Sequence, residues 1–217
     1  MLKSPKNLGV IHFIGIGGIG MSGIAEILFQ SGYYIQGSDI AESNNTIRLR
    51  KIGIKVYIGQ KKSNIVNAKL VVVSTAISKR NEEYIAAKKM FLPVVHRSEM
   101  LGELMRLKQS IAIAGTHGKT TTTSLIAKMI EENGMDPTII NGGIISSLDS
   151  NAKLGNGEWM VVEADESDGS FAKLNPTVAI ITNIDLEHLD YHKSEENLER
   201  AFLHFVSSIP FYGFVCL

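Results

Sequence analysis

Apolar runs and stretches of helical period alternate along almost the whole chain. The runs predict strands at 10–14, 33–37, 55–58, 70–74 and 94–95, with helices at 21–31, 46–52, 82–90 and 98–107 between them. Ile24, Ile27 and Leu28 form the apolar stripe of the first helix, and Ser98 stands at the N-cap position of the last. The uninterrupted run at 70–74 is of the kind a parallel sheet buries on both faces. At Lys108-Gln109 the pattern begins again. A strand at 111–114 leads through a glycine-rich turn into a helix at 119–133, then a turn-rich "INGGIISS", strands at 159–162 and 178–181, and a helix at 195–206. Strands alternating with helices imply parallel sheets covered by helices, so two α/β domains are expected, 1–108 and 109–217. A strand entered at Phe214 and ended at Leu217 leaves the second sheet short of strands, and the expectation is an incomplete domain.

The first turn, "GIGGIG" at Gly15 to Gly20, fits G-x-G-x-x-G between a strand and a helix, with Asp39 at the spacing of a ribose-binding acid. Alone it describes a Rossmann-like domain of an NAD-dependent dehydrogenase, or a turn kept for tight packing.

The second turn, "GTHGKTT", has another design. Gly115, Thr116, His117, Gly118, Lys119, Thr120 and Thr121 lie between an apolar strand and a periodic helix, which places backbone N–H groups and a helix N-terminus around one anion. Lys119 can pair with terminal phosphates of ATP and the Thr120 hydroxyl can ligate Mg2+. The loop departs from GxxxxGK[ST], since Ile113 stands where the first glycine belongs. "WMVVEADESD" supplies carboxylates at a strand end: Glu163 is the better metal ligand, with Asp165, Glu166 and Asp168 read equally as a solvated acidic loop. His188 follows the next strand within a polar cluster of Asn183, Asp185 and His192. The second domain is thus P-loop ATPase-like. A redox enzyme has no need of an ATP clamp, whereas a ligase that recognises its substrate by a nucleotide handle needs both turns.

Composition narrows the partners. The 22 basic residues balance 22 acidic ones, which gives no basic surplus for nucleic acid. No window reaches the roughly 18 apolar residues of a membrane helix. The glycines and His12 make a poor signal peptide, and the single Cys216 fits a reducing cytoplasm.

The ordered motifs "GIGGIGMSGIAE", "GSD", "VVVSTAI", "HRSEMLGELMR", "AGTHGKTTTTSLIA", "VVEADESDGSF" and "NIDLEHLDYH" resemble the ATP-dependent Mur ligase family. The resemblance implies three domains in the whole enzyme, of which this chain stops within the second. It implies ATP-dependent ligation of L-alanine to the lactyl carboxylate of UDP-N-acetylmuramate through an acyl phosphate, in the cytoplasm, with Mg2+. A recycling ligase that attaches a peptide to the same sugar nucleotide is the alternative. By the same resemblance Gly15, Gly17, Gly18, Ile19, Gly20, Met21 and Ser22 grip the UDP diphosphate. Asp39, Ser74, Thr75 and Ala76 lie near the nucleoside, His96 and Arg97 near the substrate path, and His117 faces the muramyl end. Lys119, Glu163 and His188 are the expected catalytic set, with Thr120, Glu163 and His188 holding metal. Sister ligases carry a carbamylated lysine downstream of that histidine; here Arg200-Ala201-Phe202-Leu203 has none. The truncated chain is expected to bind substrate yet turn over little.

Overall fold

Ile11, Phe13 and Ile14 are buried in β1 (Val10–Ile14), the middle strand of a five-stranded parallel sheet. The computed structural model describes residues 8–145, 150–167, 169–187 and 189–217, and its contacts divide the chain into a unit ending at Met100 and another beginning at Leu101. In the first unit β1 is followed by α1 (Ile19–Gln30), β2 (Tyr34–Asp39), α2 (Asn44–Lys51), β3 (Lys55–Ile58), β4 (Ala68–Val73), α3 (Glu82–Lys89), β5 (Val94–His96) and the start of α4 (Arg97–Met105). The strand order β3-β2-β1-β4-β5 reverses direction between β1 and β4, which opens a crevice at their carboxyl ends.

Local chemistry sets the helix starts. Ser43 accepts from Thr46 N–H while Thr46 Oγ1 accepts from Ser43 N–H, a capping box that begins α2 two residues before the sequence reading placed it. Ser98 does not cap α4. It lies in the first turn, where its N–H donates to Nδ1 of His96, and Glu99 accepts from His96 N–H.

A polar cluster is enclosed in this unit. Glu83 on α3 is fully buried and accepts from Nε2 of His12 at 3.2 Å, Oγ of Ser38 at 2.5 Å and Nδ2 of Asn64 at 2.6 Å. Gln36 donates to Nδ1 of His12, leaving Nε2 as the donor to Glu83. Each of these three groups is a donor, so the enclosed carboxyl group is matched by hydrogen bonds rather than left bare.

The second unit contains β6 (Gln109–Ala114), α5 (Lys119–Glu132), β7 (Thr138–Ile145), β8 (Ser150–Lys153), β9 (Trp159–Glu163), β10 (Val178–Ile181), α6 (Leu189–His192), α7 (Glu195–Ser207) and β11 (Phe214–Cys216). Its six strands run in the order β11-β10-β6-β9-β7-β8, parallel except for the β7–β8 pair. Two expectations are corrected. Residues 140–145 of "INGGIISS" are not a turn, because β7 runs through Gly142 and Gly143, while Ser146 and Ser147 lie outside the described residues; and the sheet is not short of strands, since β7 and β8 extend it and β11 pairs with β10. Ile113, Ala127, Ile139 and Val161 form the core between α5 and the sheet. Phe171 packs with tilted rings against Phe202 at 4.9 Å and Phe205 at 5.3 Å, so Phe202 of the lysine-free segment of α7 serves packing. Among the described residues no helix is long and apolar enough to cross a membrane.

Candidate functional site

Each unit carries one glycine turn at the carboxyl edge of its sheet, and each turn is held differently. In the first, Gly15 adopts φ +78° and Ser38 C=O accepts from both Gly15 and Ile16 N–H. Gly17 N–H donates to Oδ2 of Asp39 at 2.8 Å, and Asn45 Nδ2 donates to Gly17 C=O at 2.8 Å. Gly18 then caps α1, whose N-terminus opens on a cleft of about 660 Å³.

Gly15, Gly17, Gly18, Met21, Asp39, Ser74 and Ala76 line this cleft together. Ile19, Gly20, Ser22, Thr75, His96 and Arg97 lie outside its lining. Ser22 is buried and donates to Ile19 C=O. A Cβ on Gly20 would fall 2.6 Å from the Arg97 guanidinium, so that glycine makes room for the arginine. The structure adds Gln60, Arg80 and Asn81, which sequence reasoning missed. They occupy segments after β3 and β4, where the general preference of ligands for strand carboxyl ends was the available signal. Asn81 Nδ2 donates to Oε1 of Gln60 at 2.6 Å, while its own Oδ1 caps α3. Arg80 faces the cleft with Asp39 and Glu42, a mixed-charge lining suited to a ligand carrying both anionic and hydroxyl groups.

In the second unit Gly115 takes φ +127° and Gly118 φ +80°, and Gly118 caps α5. Thr116 N–H donates to Asn183 C=O at 3.0 Å, and His117 N–H donates to Oδ1 of Asn183 at 2.9 Å. Thr182 Oγ1 donates to His117 C=O at 2.6 Å. The segment after β10 thus clamps the loop. His117 Nε2 stands 3.5 Å from Asp185 and 3.7 Å from Glu187, all three exposed. Lys119 Nζ donates to Gly115 C=O, Thr116 C=O and Oε1 of Glu166 at 2.6, 3.1 and 2.8 Å. Thr121 is exposed on the first turn of α5.

Thr120 Oγ1 donates to Oε2 of Glu163 at 2.8 Å, and Gly142 N–H donates to the same oxygen at 2.8 Å. A Cβ at Gly142 would lie 2.3 Å from Oε1 of Glu163, so the carboxylate fills a cradle that only glycine leaves open. A hydroxyl and a carboxylate side by side at a helix N-terminus are hard oxygen donors that fit Mg2+. His188 and Asp168 lie outside the described residues.

A five-strand parallel sheet with a cleft at its strand reversal is thus followed by a second, mixed sheet whose glycine turn sets a hydroxyl beside a carboxylate. The profile described as "Mur ligase family, catalytic domain" matches residues 10–109 and "Mur ligase middle domain" matches 113–217, and the chain belongs to this family. It is 60% identical over 213 residues to the UDP-N-acetylmuramate--L-alanine ligase of Parvibaculum lavamentivorans, covering 98% of this chain and 43% of that protein. With the Methylocella silvestris ligase of the same name it shares 61% over 216 residues, 100% of the chain and 46% of the relative. The chain therefore spans less than half the length of these curated relatives. Among solved structures it is similar to UDP-N-acetylmuramate-alanine ligase from Thermotoga maritima, with TM-score 0.89, 33% identity, and coverage of 96% of this chain and 49% of that one. The UDP-N-acetylmuramate:L-alanyl-gamma-D-glutamyl-meso-diaminopimelate ligase from Neisseria meningitides superposes with TM-score 0.88 at 26% identity, over 95% of this chain and 70% of that one.

Proposed function

We propose that this chain supplies the sugar-nucleotide grip and the ATP clamp of a cytoplasmic, ATP-dependent ligase. The ligase joins L-alanine to the lactyl carboxylate of UDP-N-acetylmuramate in peptidoglycan precursor synthesis. The observation that carries this is the pairing of two differently built glycine turns in one chain, Gly17 tied to Asp39 and Thr120 tied to Glu163. The names of the relatives at 60% and 61% identity support L-alanine over the recycling reaction, whose solved relative stands at 26%.

In this reading the Gly15 to Ser22 turn and the N-terminus of α1 receive the UDP diphosphate, with Asp39, Ser74, Thr75 and Ala76 toward the nucleoside. His96 and Arg97 flank the substrate path, and residues 115–121 cradle the ATP phosphates. Thr120, Glu163 and His188 would hold Mg2+, which supplies neutralisation of phosphate charge when bound. The lactyl carboxylate and the phosphate it attacks are both anions. Lys119 and the loop N–H groups therefore have an electrostatic task in that step. Attack of the alanine amine on the activated carboxyl depends instead on positioning, worth roughly 7 to 11 kcal/mol at best.

The test is a calorimetric titration of the chain with UDP-N-acetylmuramate, with NADH as the comparison. Binding of the sugar nucleotide that is lost in Gly17→Val supports the reading. Binding of NADH alone sinks it.

A further inference from the structure

An ammonium group has three N–H donors and no acceptor. In Lys119 all three meet protein oxygens: Gly115 C=O at 2.6 Å, Thr116 C=O at 3.1 Å and Glu166 Oε1 at 2.8 Å. The two carbonyls belong to the phosphate loop itself. The third partner comes from the segment after β9 and is the only one of the three that carries negative charge, as a phosphate does.

Glu166 is anchored from behind. Its C=O accepts from Gly169 N–H at 3.0 Å and from Nε2 of the buried His192 at 2.9 Å. Its side chain is 1% exposed, against 13% for Lys119, so the lysine is the partner able to move. Drawing the ammonium toward a phosphate removes a compensating charge from a carboxylate that stays buried, and that has a cost.

We infer that Glu166 is a positioning residue that competes with the terminal phosphates of the nucleotide for the Lys119 ammonium, and so sets how tightly the loop holds them. The inference rests on reading residues 115–121 as an ATP loop. It gives the acidic segment a role in tuning that loop, separate from metal ligation by Glu163. A lysine that must leave one anion for another holds ADP less firmly, which suits a site that releases product at each turnover.

A double-mutant cycle read by calorimetry with ADP and Mg2+ tests this, using the chain itself, Glu166→Gln, Lys119→Met and the double variant. Glu166→Gln keeps the shape and removes the charge, and should bind ADP roughly tenfold more tightly, the scale of one charge-assisted hydrogen bond. The gain should vanish when Lys119 is already Met. Unchanged or weaker binding by Glu166→Gln overturns the inference. So does a gain that persists undiminished in the Lys119→Met background, because that is plain repulsion between Glu166 and phosphate. If Glu166→Gln does not fold, by circular dichroism, the unsubstituted chain still decides. With 15N-labelled lysine, the Lys119 ammonium should be protected from exchange with water, and ADP should shift its signal. An ammonium exchanging as fast as surface lysines rejects the competition. Failure of the ATP-loop reading looks different: neither the chain nor any variant then responds to ADP, and the inference falls with it.

Discussion

Gly17 donates its backbone N–H to Oδ2 of Asp39 at 2.8 Å, and a Cβ on Gly17 would fall 2.8 Å from that same oxygen. The absence of a side chain and the presence of the acid are therefore one device. The second carboxylate oxygen accepts from Ile40 N–H at 2.8 Å, so Asp39 bridges the turn and the end of β2. Gly17→Val should displace Asp39 and lower affinity for UDP-N-acetylmuramate by at least about tenfold, about 1.4 kcal/mol, while ADP binding by the second unit is unchanged. Calorimetry with both ligands on one preparation reads the two effects side by side.

Thr120→Val removes the hydroxyl donated to Glu163 and keeps the side chain's volume. Magnesium should then no longer strengthen ADP binding, whereas binding without added magnesium should stay within about threefold of the unsubstituted chain, since backbone and Lys119 contacts persist. Titrations with and without EDTA check this. A magnesium response equal to that of the unsubstituted chain would show that Thr120 is no ligand.

At Gly115, φ +127° disfavours any L side chain, and a Cβ would meet Thr182 Oγ1 at 2.2 Å and Asn183 C=O at 2.8 Å. Gly115→Ala should cost on the order of 1–3 kcal/mol of stability in the second unit. Urea unfolding followed by Trp159 fluorescence reads that unit, which contains the chain's one tryptophan.

Glu83→Ala would leave His12, Ser38 and Asn64 donors buried without their common acceptor. The expected loss is roughly 3–5 kcal/mol, the combined cost of buried donors left unsatisfied at about 1–3 kcal/mol each. Denaturant midpoints measured by circular dichroism would show it, with the surface change Glu82→Ala as the contrast.

Asp136 is held at about 2, first by the N–H of Asn156 and then by Lys153, with the Asn156 amide adding to both. Because the folded value lies below the ordinary 3.8, its contribution is fully present above pH 3.8 and fades as pH falls through about 2. The stability gap between the chain and Asp136→Asn should accordingly be constant from neutral pH down to about 4 and close below it. Chemical denaturation at pH 2, 3, 4 and 6 gives the curve; a gap that stays constant at pH 2 would show that Asp136 is not depressed.

The α/β class was legible because helical period and continuous apolar runs alternate over nearly the whole chain, and both glycine turns stand between a strand and a helix. β7 was hidden for a tertiary reason. Gly142 and Gly143 read locally as a turn, yet Gly142 sits in a strand to leave space for the carboxylate of Glu163, 21 residues away. Ser98 looked like a cap by residue type, but the ring of His96, two residues earlier and just before α4, accepts its N–H, and rings are not in the usual capping vocabulary. In the site, the glycines and Asp39 came from motif spacing, and Ser74 and Ala76 from the family resemblance. Gln60, Arg80 and Asn81 have no fixed spacing to any motif and meet the cleft only once β3 and β4 are side by side with β2 and β1. The role of His12 was invisible because its partner Glu83 is 71 residues away.

Ser38 joins the enclosed cluster to the cleft, with its hydroxyl on Glu83 and its C=O receiving Gly15 and Ile16 N–H. Ordering the turn is thus part of folding, and the conformational entropy it loses is not charged against the ligand. A ligand arriving at this cleft meets a turn already ordered, and its affinity is left to depend on contacts and displaced water.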